Sequence, residues 1–225
     1  MASDIKYFNF PVAQIPEIRR DVKRAMEEIM GYSVVNLAQK RGITNEEAGA
    51  FLGITRGALI NVRASSCREN TRSMTSITVN RAFEFRDNAK SDFDVLCLCA
   101  NLAIRSIVGK HSFSLCRKSF IFSRMSGCDT RINENLYSSY VKPLVGANGR
   151  RRWEAVRWIL RSQYGVAFYA PPGCKGFYVS YELDEPALAV SVERMIRRKR
   201  RNKKGETLNR ALHRMALFQL EISLE

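Results

Sequence analysis

The sequence predicts a mainly α-helical protein in two units, residues 1–110 and 111–225, the second with one small β-hairpin and a basic C-terminal helix. Three observations predict this. Apolar residues recur at helical spacing along most of the 225 positions. Two β-prone runs flank a single Pro–Gly turn between residues 165 and 182. Seven of the eight residues from Arg197 to Lys204 are basic. The length fits one large domain or two small ones of about 100 residues each, and a 45% hydrophobic share is enough to fold them. Against 37 Lys and Arg stand 22 Asp and Glu, a formal charge of +15. A surface so cationic favours a polyanion as partner, nucleic acid or an anionic membrane.

Taken in order, Met1 to Ile15 has neither the apolar core nor the small-residue cleavage site of an export signal. Ile15 to Lys40 carries Ile18, Val22, Met26, Ile29, Val34 and Leu37 at helical spacing, with Pro16 in the first turn and Gly31 as a candidate break. Asn45 to Ala64 is a second helical block. Ser65 to Asn80 is polar and reads as a loop with room for a short strand. A helix from Asp92 to about Val108 is capped by Ser91 or Asp92, terminated by Gly109, and apolar enough to be the central core helix. Its apolar run is too short to span a bilayer and reads as buried; no membrane partner is expected. Phe113 to Met125 alternates basic and aromatic residues and fits a strand or a helix. Asn133 to Val145 and Arg150 to Tyr164 read as helices joined by the turn Gly146 to Gly149. Gly165 to Ala170 and Gly176 to Glu182 form the hairpin, and a long helix starts at Asp184 or Glu185.

The stretch NEEAGAFLGITRGALINVRA, residues 45–64, has small residues in its first helix (Ala48, Gly49), a turn glycine four positions on (Gly53), and apolar Leu59 and Val62 in its second helix. On these residues it resembles the helix-turn-helix of phage repressors and other bacterial regulators. The resemblance implies a recognition helix from Thr55 to Ala64. Thr55 would cap it, Arg56 and Asn61 would read guanine and adenine edges, and Arg63 would hold phosphate. Gly57 and the apolar Ile60 depart from that pattern, and an ordinary αα-hairpin with a glycine turn is the plainer alternative.

Residues 133–182 run helix, Gly-rich turn, helix, strand, tight Gly loop, strand, which resembles a winged helix. Here Arg150, Arg151, Arg157 and Arg161 would face outward from the second helix, over an inner face of Trp153, Val156, Ile159 and Leu160. Lys175 would sit at the wing tip. More loosely, Ile104 to Leu217 is similar to uncharacterised DNA-binding proteins of phages and other mobile genetic elements. Gly173 to Gly176 matches the GXXG of KH domains only superficially, because it joins strand-like runs. The basic run Arg197, Arg198, Lys199, Arg200 and Arg201 reads as a phosphate-binding arm. The resulting expectation is an N-terminal helix-turn-helix helical domain followed by a C-terminal winged helix with one small β-hairpin and a basic C-terminal helix.

Catalysis is not expected. No phosphate-binding loop or dinucleotide fingerprint occurs, and neither His111 nor His213 sits in a catalytic pattern. Glu182, Asp184 and Glu185, like Asp87, Asp92 and Asp94, read as helix starts rather than metal-holding clusters. The six cysteines lack zinc spacing; Cys97 and Cys99 would diverge on a helix, leaving core thiols in a reducing cytosol. No cofactor and no metal are therefore expected. The functional expectation is a sequence-specific double-stranded DNA-binding protein, a transcriptional regulator of a phage or mobile element. It would be cytoplasmic, nucleoid-associated, and a homodimer if its site is palindromic. An origin-binding replication initiator and an RNA-binding protein are the alternatives, the latter drawing on the aromatic and basic mixture at Phe113 to Arg124.

Overall fold

The computed structural model describes residues 6–54 and 73–202, so the expected recognition helix with Thr55, Arg56, Asn61 and Arg63 lies outside the described residues. The described chain is mainly helical with two small antiparallel sheets.

Strand β1 (Tyr7–Pro11) buries Phe8 and Phe10, alternate residues of one face. It pairs with β2 (Met74–Thr78), Tyr7 opposite Thr78 and Pro11 opposite Met74. Helices α1 (Ile15–Arg20) and α2 (Val22–Arg41) follow β1. The break between them falls at Asp21 and not at Gly31. Asp21 is extended and its carboxylate accepts the Arg24 N–H at 3.0 Å, capping a new helix, while Gly31 is buried inside α2 without interrupting it. Helix α3 (Asn45–Leu52) begins with a Thr44–Glu47 capping box and stops at Gly53, whose φ of +77° suits glycine.

Helix α4 (Val79–Asp87) leads into α5 (Asp92–Val108), which opens on a Ser91–Asp94 capping box and ends at Gly109. The ambiguous stretch after α5 resolves into both elements: β3 (Ser114–Cys116), then α6 (Lys118–Met125). The expected helix from Asn133 to Val145 is absent. That segment makes two single 3-10 turns, Glu134–Leu136 and Lys142–Leu144. Its tyrosines explain why. The Tyr137 hydroxyl donates to the Ser119 carbonyl at 3.2 Å and that of Tyr140 to the Met125 carbonyl, so the chain is stapled along α6 instead of coiling on itself. The expected glycine turn after it is helical: Gly146 to Gly149 form the first turn of α7 (Gly146–Tyr164).

Gly149 is buried there because α7 abuts the preceding turn. A Cβ at this position would lie 2.3 Å from the Leu144 carbonyl carbon and 2.4 Å from its oxygen. Gly149→Ala is therefore expected to cost roughly 1–3 kcal/mol, the range of overpacked sites, despite alanine's better helix propensity; urea unfolding of the two proteins measures it.

Strands β4 (Ala167–Tyr169) and β5 (Phe177–Ser180) form the expected hairpin, and β3 joins it beside β5, so the strand order is β3-β5-β4. Helix α8, residues 185–202, starts where the Asp184 carboxylate accepts the Ala187 N–H at 2.8 Å. Phe168, Phe177 and Val179 turn one face of this sheet to the main core, while Ala167, Tyr169 and Tyr178 meet Leu188 and Val192 of α8 on the other. The main core runs without interruption from Phe8 to Val179. Helix α5 lies at its centre, packing against α1, β2, α6, α7 and β3. Two polar ties fasten it to both sheets: Thr75 Oγ1 donates to the Leu102 carbonyl at 2.7 Å, and the Tyr181 hydroxyl donates to Asn101 Oδ1 at 2.8 Å.

Candidate nucleic-acid interface

Helix α7 carries five arginines, and the packing sorts them into two groups. Arg150, Arg151 and Arg152 are exposed at its N-terminal end, above Trp153, Val156 and Leu160, which are buried. Arg157 does not face outward as expected. Its guanidinium lies 4.9 Å from the Phe168 ring centroid and 5.6 Å from that of Phe177, and Nη1 meets Glu154 at 3.0 Å. Helical spacing explains this: Arg157 follows Val156 round the edge of the buried stripe, and its long stem covers the sheet's aromatic face. Arg161 is half-committed, its Nε 2.6 Å from Glu185 and its guanidinium over Phe168 at 5.3 Å. Trp158, not singled out in the sequence, is 65% exposed on the outer side of α7.

The register of the sheet shows which end of the molecule these arginines share. From Arg161 to Arg157 the ring partners change from Phe168 alone to Phe168 and Phe177, toward the turn at residues 170–176. The N-terminal end of α7 thus points to the same end as that turn. Lys175 is exposed in the turn, which closes through Cys174 N–H to the Pro171 carbonyl at 3.1 Å with Gly173 at φ +74°.

Strand β3 ends at the same place, since Cys116 pairs with Phe177. Close approach there requires Gly176, where a Cβ would sit 2.6 Å from the Cys116 carbonyl oxygen and 3.4 Å from Arg117 Cγ. Arg117 and Lys118, both exposed, therefore stand beside Lys175. The sequence marked them only within an aromatic and basic mixture whose rings are occupied: Phe113 packs on Tyr178, and Phe122 on Tyr137 and Trp153. The last cation of that stretch, Arg124, is buried on Asp129 at 2.9 Å.

Helix α8 runs the same way. Leu188 and Val192 pack with Ala167, and the Tyr169 hydroxyl donates to Glu193 at 2.7 Å one step nearer the turn. Arg197 to Arg201 continue in that direction, all exposed. Arg117, Lys118, Arg150, Arg151, Lys175 and the α8 arginines consequently gather at one end.

Two helices begin in this neighbourhood without a side-chain cap or an acidic first turn, α6 at Arg117 and α7 at Val145. By contrast α2, α3, α4 and α5 all have side-chain caps. Uncapped N–H groups beside arginines are suited to phosphate oxygens.

The acidic residues read as helix starts are engaged locally, and Asp87 closes α4 instead of opening a helix. Arg19 holds the Asp92 carboxyl below the usual range through a 2.5 Å ion pair, Arg86 does the same for Asp87, and Asp94 belongs to the α5 cap. No group of three metal-ligating side chains occurs among the described residues, nor does any described helix have the length and apolarity to cross a membrane.

Burial pushes the Cys97, Cys99 and Cys116 thiols up to about 12. At neutral pH they are protonated and shielded, so a thiol reagent should modify Cys128 and Cys174 first among the described cysteines, as peptide mass mapping would show. The same buried thiols add a dependence of stability on alkaline pH. The folded state holds protons that the unfolded chain releases near pH 8.5–9, so stability is full below that range and falls as pH rises toward 12.

In comparisons with known proteins, no family model matches the chain, and no curated protein or solved structure matches it.

Proposed function

We propose that the chain is a sequence-specific double-stranded DNA-binding protein that acts as a transcriptional regulator through a winged helix in its C-terminal half. One observation carries the reading: the cations of α6, α7, the 170–176 turn and α8 gather at one end of a sheet whose connectivity suits a winged helix. In this reading α5, β3, α6, α7, β4 and β5 follow one another as helix, strand, helix, helix and hairpin, with β3 beside β5. The helix pair is then α6 and α7, meeting where the Phe122 and Trp153 rings pack edge-on at 5.3 Å. Arg150 and Arg151 would reach base edges in the major groove. Lys175, Arg117 and Lys118 would hold flanking phosphates, and Arg197 to Arg201 would supply grip independent of sequence. Arg157 would act indirectly by fixing α7 on the hairpin. An upstream helix-turn-helix reading Arg56 and Asn61 would add a second module, with Gly53 at its turn.

The test is selection of fragmented host and element DNA by the purified protein near physiological salt, with excess competitor, followed by sequencing. Enrichment at promoters supports the regulator, and enrichment in tandem repeats supports an origin-binding replication initiator. Single-stranded RNA outcompeting duplex DNA would overturn the reading. Given a selected site, Arg150→Ala or Arg151→Ala is expected to cost about 1–3 kcal/mol and relax the preference at one position, measured by competition binding on single-base variants.

A further inference from the structure

On the N-terminal half, away from that end, β1 and α2 bound a groove of about 770 Å³ that is open on one side, within the range of small-ligand sites. Among the described lining residues the charges are of one sign, Lys6, Lys40 and Lys110, with no carboxylate. Two of the molecule's cations are held at its rim by a single ring. Phe51 is 45% exposed, with Lys6 Nζ 5.0 Å and the Arg41 guanidinium 4.2 Å from its centroid. The remaining lining includes the Tyr32 ring, the Tyr7 ring, over which the Arg105 guanidinium lies 5.3 Å from the centroid, and the apolar Leu37 and Leu52. Asn36 is fixed in one orientation: its Nδ2 donates to the Tyr32 carbonyl at 2.9 Å, leaving Oδ1 as an acceptor. Beside it, Ser33 Oγ is bound to the Asn9 carbonyl at 3.0 Å, tying α2 to β1.

An inorganic anion would use the lysines and leave the aromatic walls idle. A purely apolar ligand would leave Lys40 and Lys110 unused. The chemistry that uses both is a planar heterocycle carrying phosphate. We infer that this groove binds a mononucleotide, its base on the Tyr32 ring with an edge to the Asn36 amide one helical turn on, its phosphate toward Lys40 and Lys110. The site shares no residue with the basic end of the molecule, although Phe51 and Leu52 belong to the first helix of the upstream module.

Isothermal titration calorimetry of the full chain with AMP, ATP, adenosine and inorganic phosphate tests it. Saturable one-to-one binding of AMP or ATP is expected, with adenosine and phosphate each much weaker. Lys40→Glu with Lys110→Glu should weaken nucleotide binding by at least about tenfold, and Tyr32→Ala by roughly tenfold because the base then has no ring to stack on. Arg150→Ala with Arg151→Ala should leave it unchanged, which separates this groove from the basic end. The exposed lysines carry no packing, so the charge-reversal variant serves even if Tyr32→Ala unfolds. Absence of saturable nucleotide binding, phosphate displacing nucleotide at equal concentration, or equal losses in the two double variants would each overturn the inference.

Discussion

Replacing Arg197, Arg198, Lys199, Arg200 and Arg201 together by Gln is expected to weaken binding to every duplex alike, specific or not. For every phosphate that the variant no longer neutralises, the dependence of log affinity on log salt should flatten by about 0.9. These residues lie along helix α8, so their side chains point around its axis and only some can meet one duplex; a flattening of roughly 2–4 is expected. Nothing in the fold opposes the change. All five side chains are exposed, and α8 is anchored earlier, by Leu188 and Val192. Fluorescence anisotropy at several salt concentrations, on a selected site and a scrambled one, gives both slopes. An unchanged slope would remove α8 from the interface.

The second large effect concerns stability. Trp153 is fully buried, edge-on to Phe122, and its Nε1 finds no partner among the described residues. Trp153→Ala is expected to cost about 3–5 kcal/mol. Trp153→Phe should cost much less, because it keeps a ring against Phe122 and removes the buried unpaired N–H. Guanidinium unfolding of the two variants makes the comparison. Equal losses would mean that the indole fills a space no smaller ring can fill.

How far the sequence went is clearest element by element. Helices α3, α5 and α8 were legible because each start is written locally, as Thr44 with Glu47, Ser91 with Asp94, and Asp184. The β4–β5 hairpin was legible from Pro171-Pro-Gly. The short strands were harder. Periodicity needs a longer window than five residues of β1 or three of β3 provide, and both are defined by partners about sixty to seventy residues away in the chain. The stretch Asn133 to Val145 has helical spacing, yet Tyr137 and Tyr140 find acceptors on α6 that no local pattern encodes. At the basic end, residue types were readable and their grouping was not. Arg117 is brought to the end of the sheet next to Gly176 only through the β3–β5 register, and Arg157 is withdrawn by ring faces on strands that follow it.

The position of α5 between the two sheets has a consequence for how the chain assembles. Sheet β1–β2 closes a loop from Tyr7 to Thr78, and β3–β5 closes another from Ser114 to Val179. The loops are of similar length and lie one after the other, so neither has to wait for the other to thread, and their closure entropies are alike. Both closures nevertheless dock on the same helix. A nascent chain therefore has its template once Val108 has been synthesised: the first sheet can settle on α5 while the second is still being made. The converse is a severed chain. A fragment starting at residue 111 inherits β3, α6, α7 and the hairpin but not the surface they fold onto, whereas one ending at 110 keeps it.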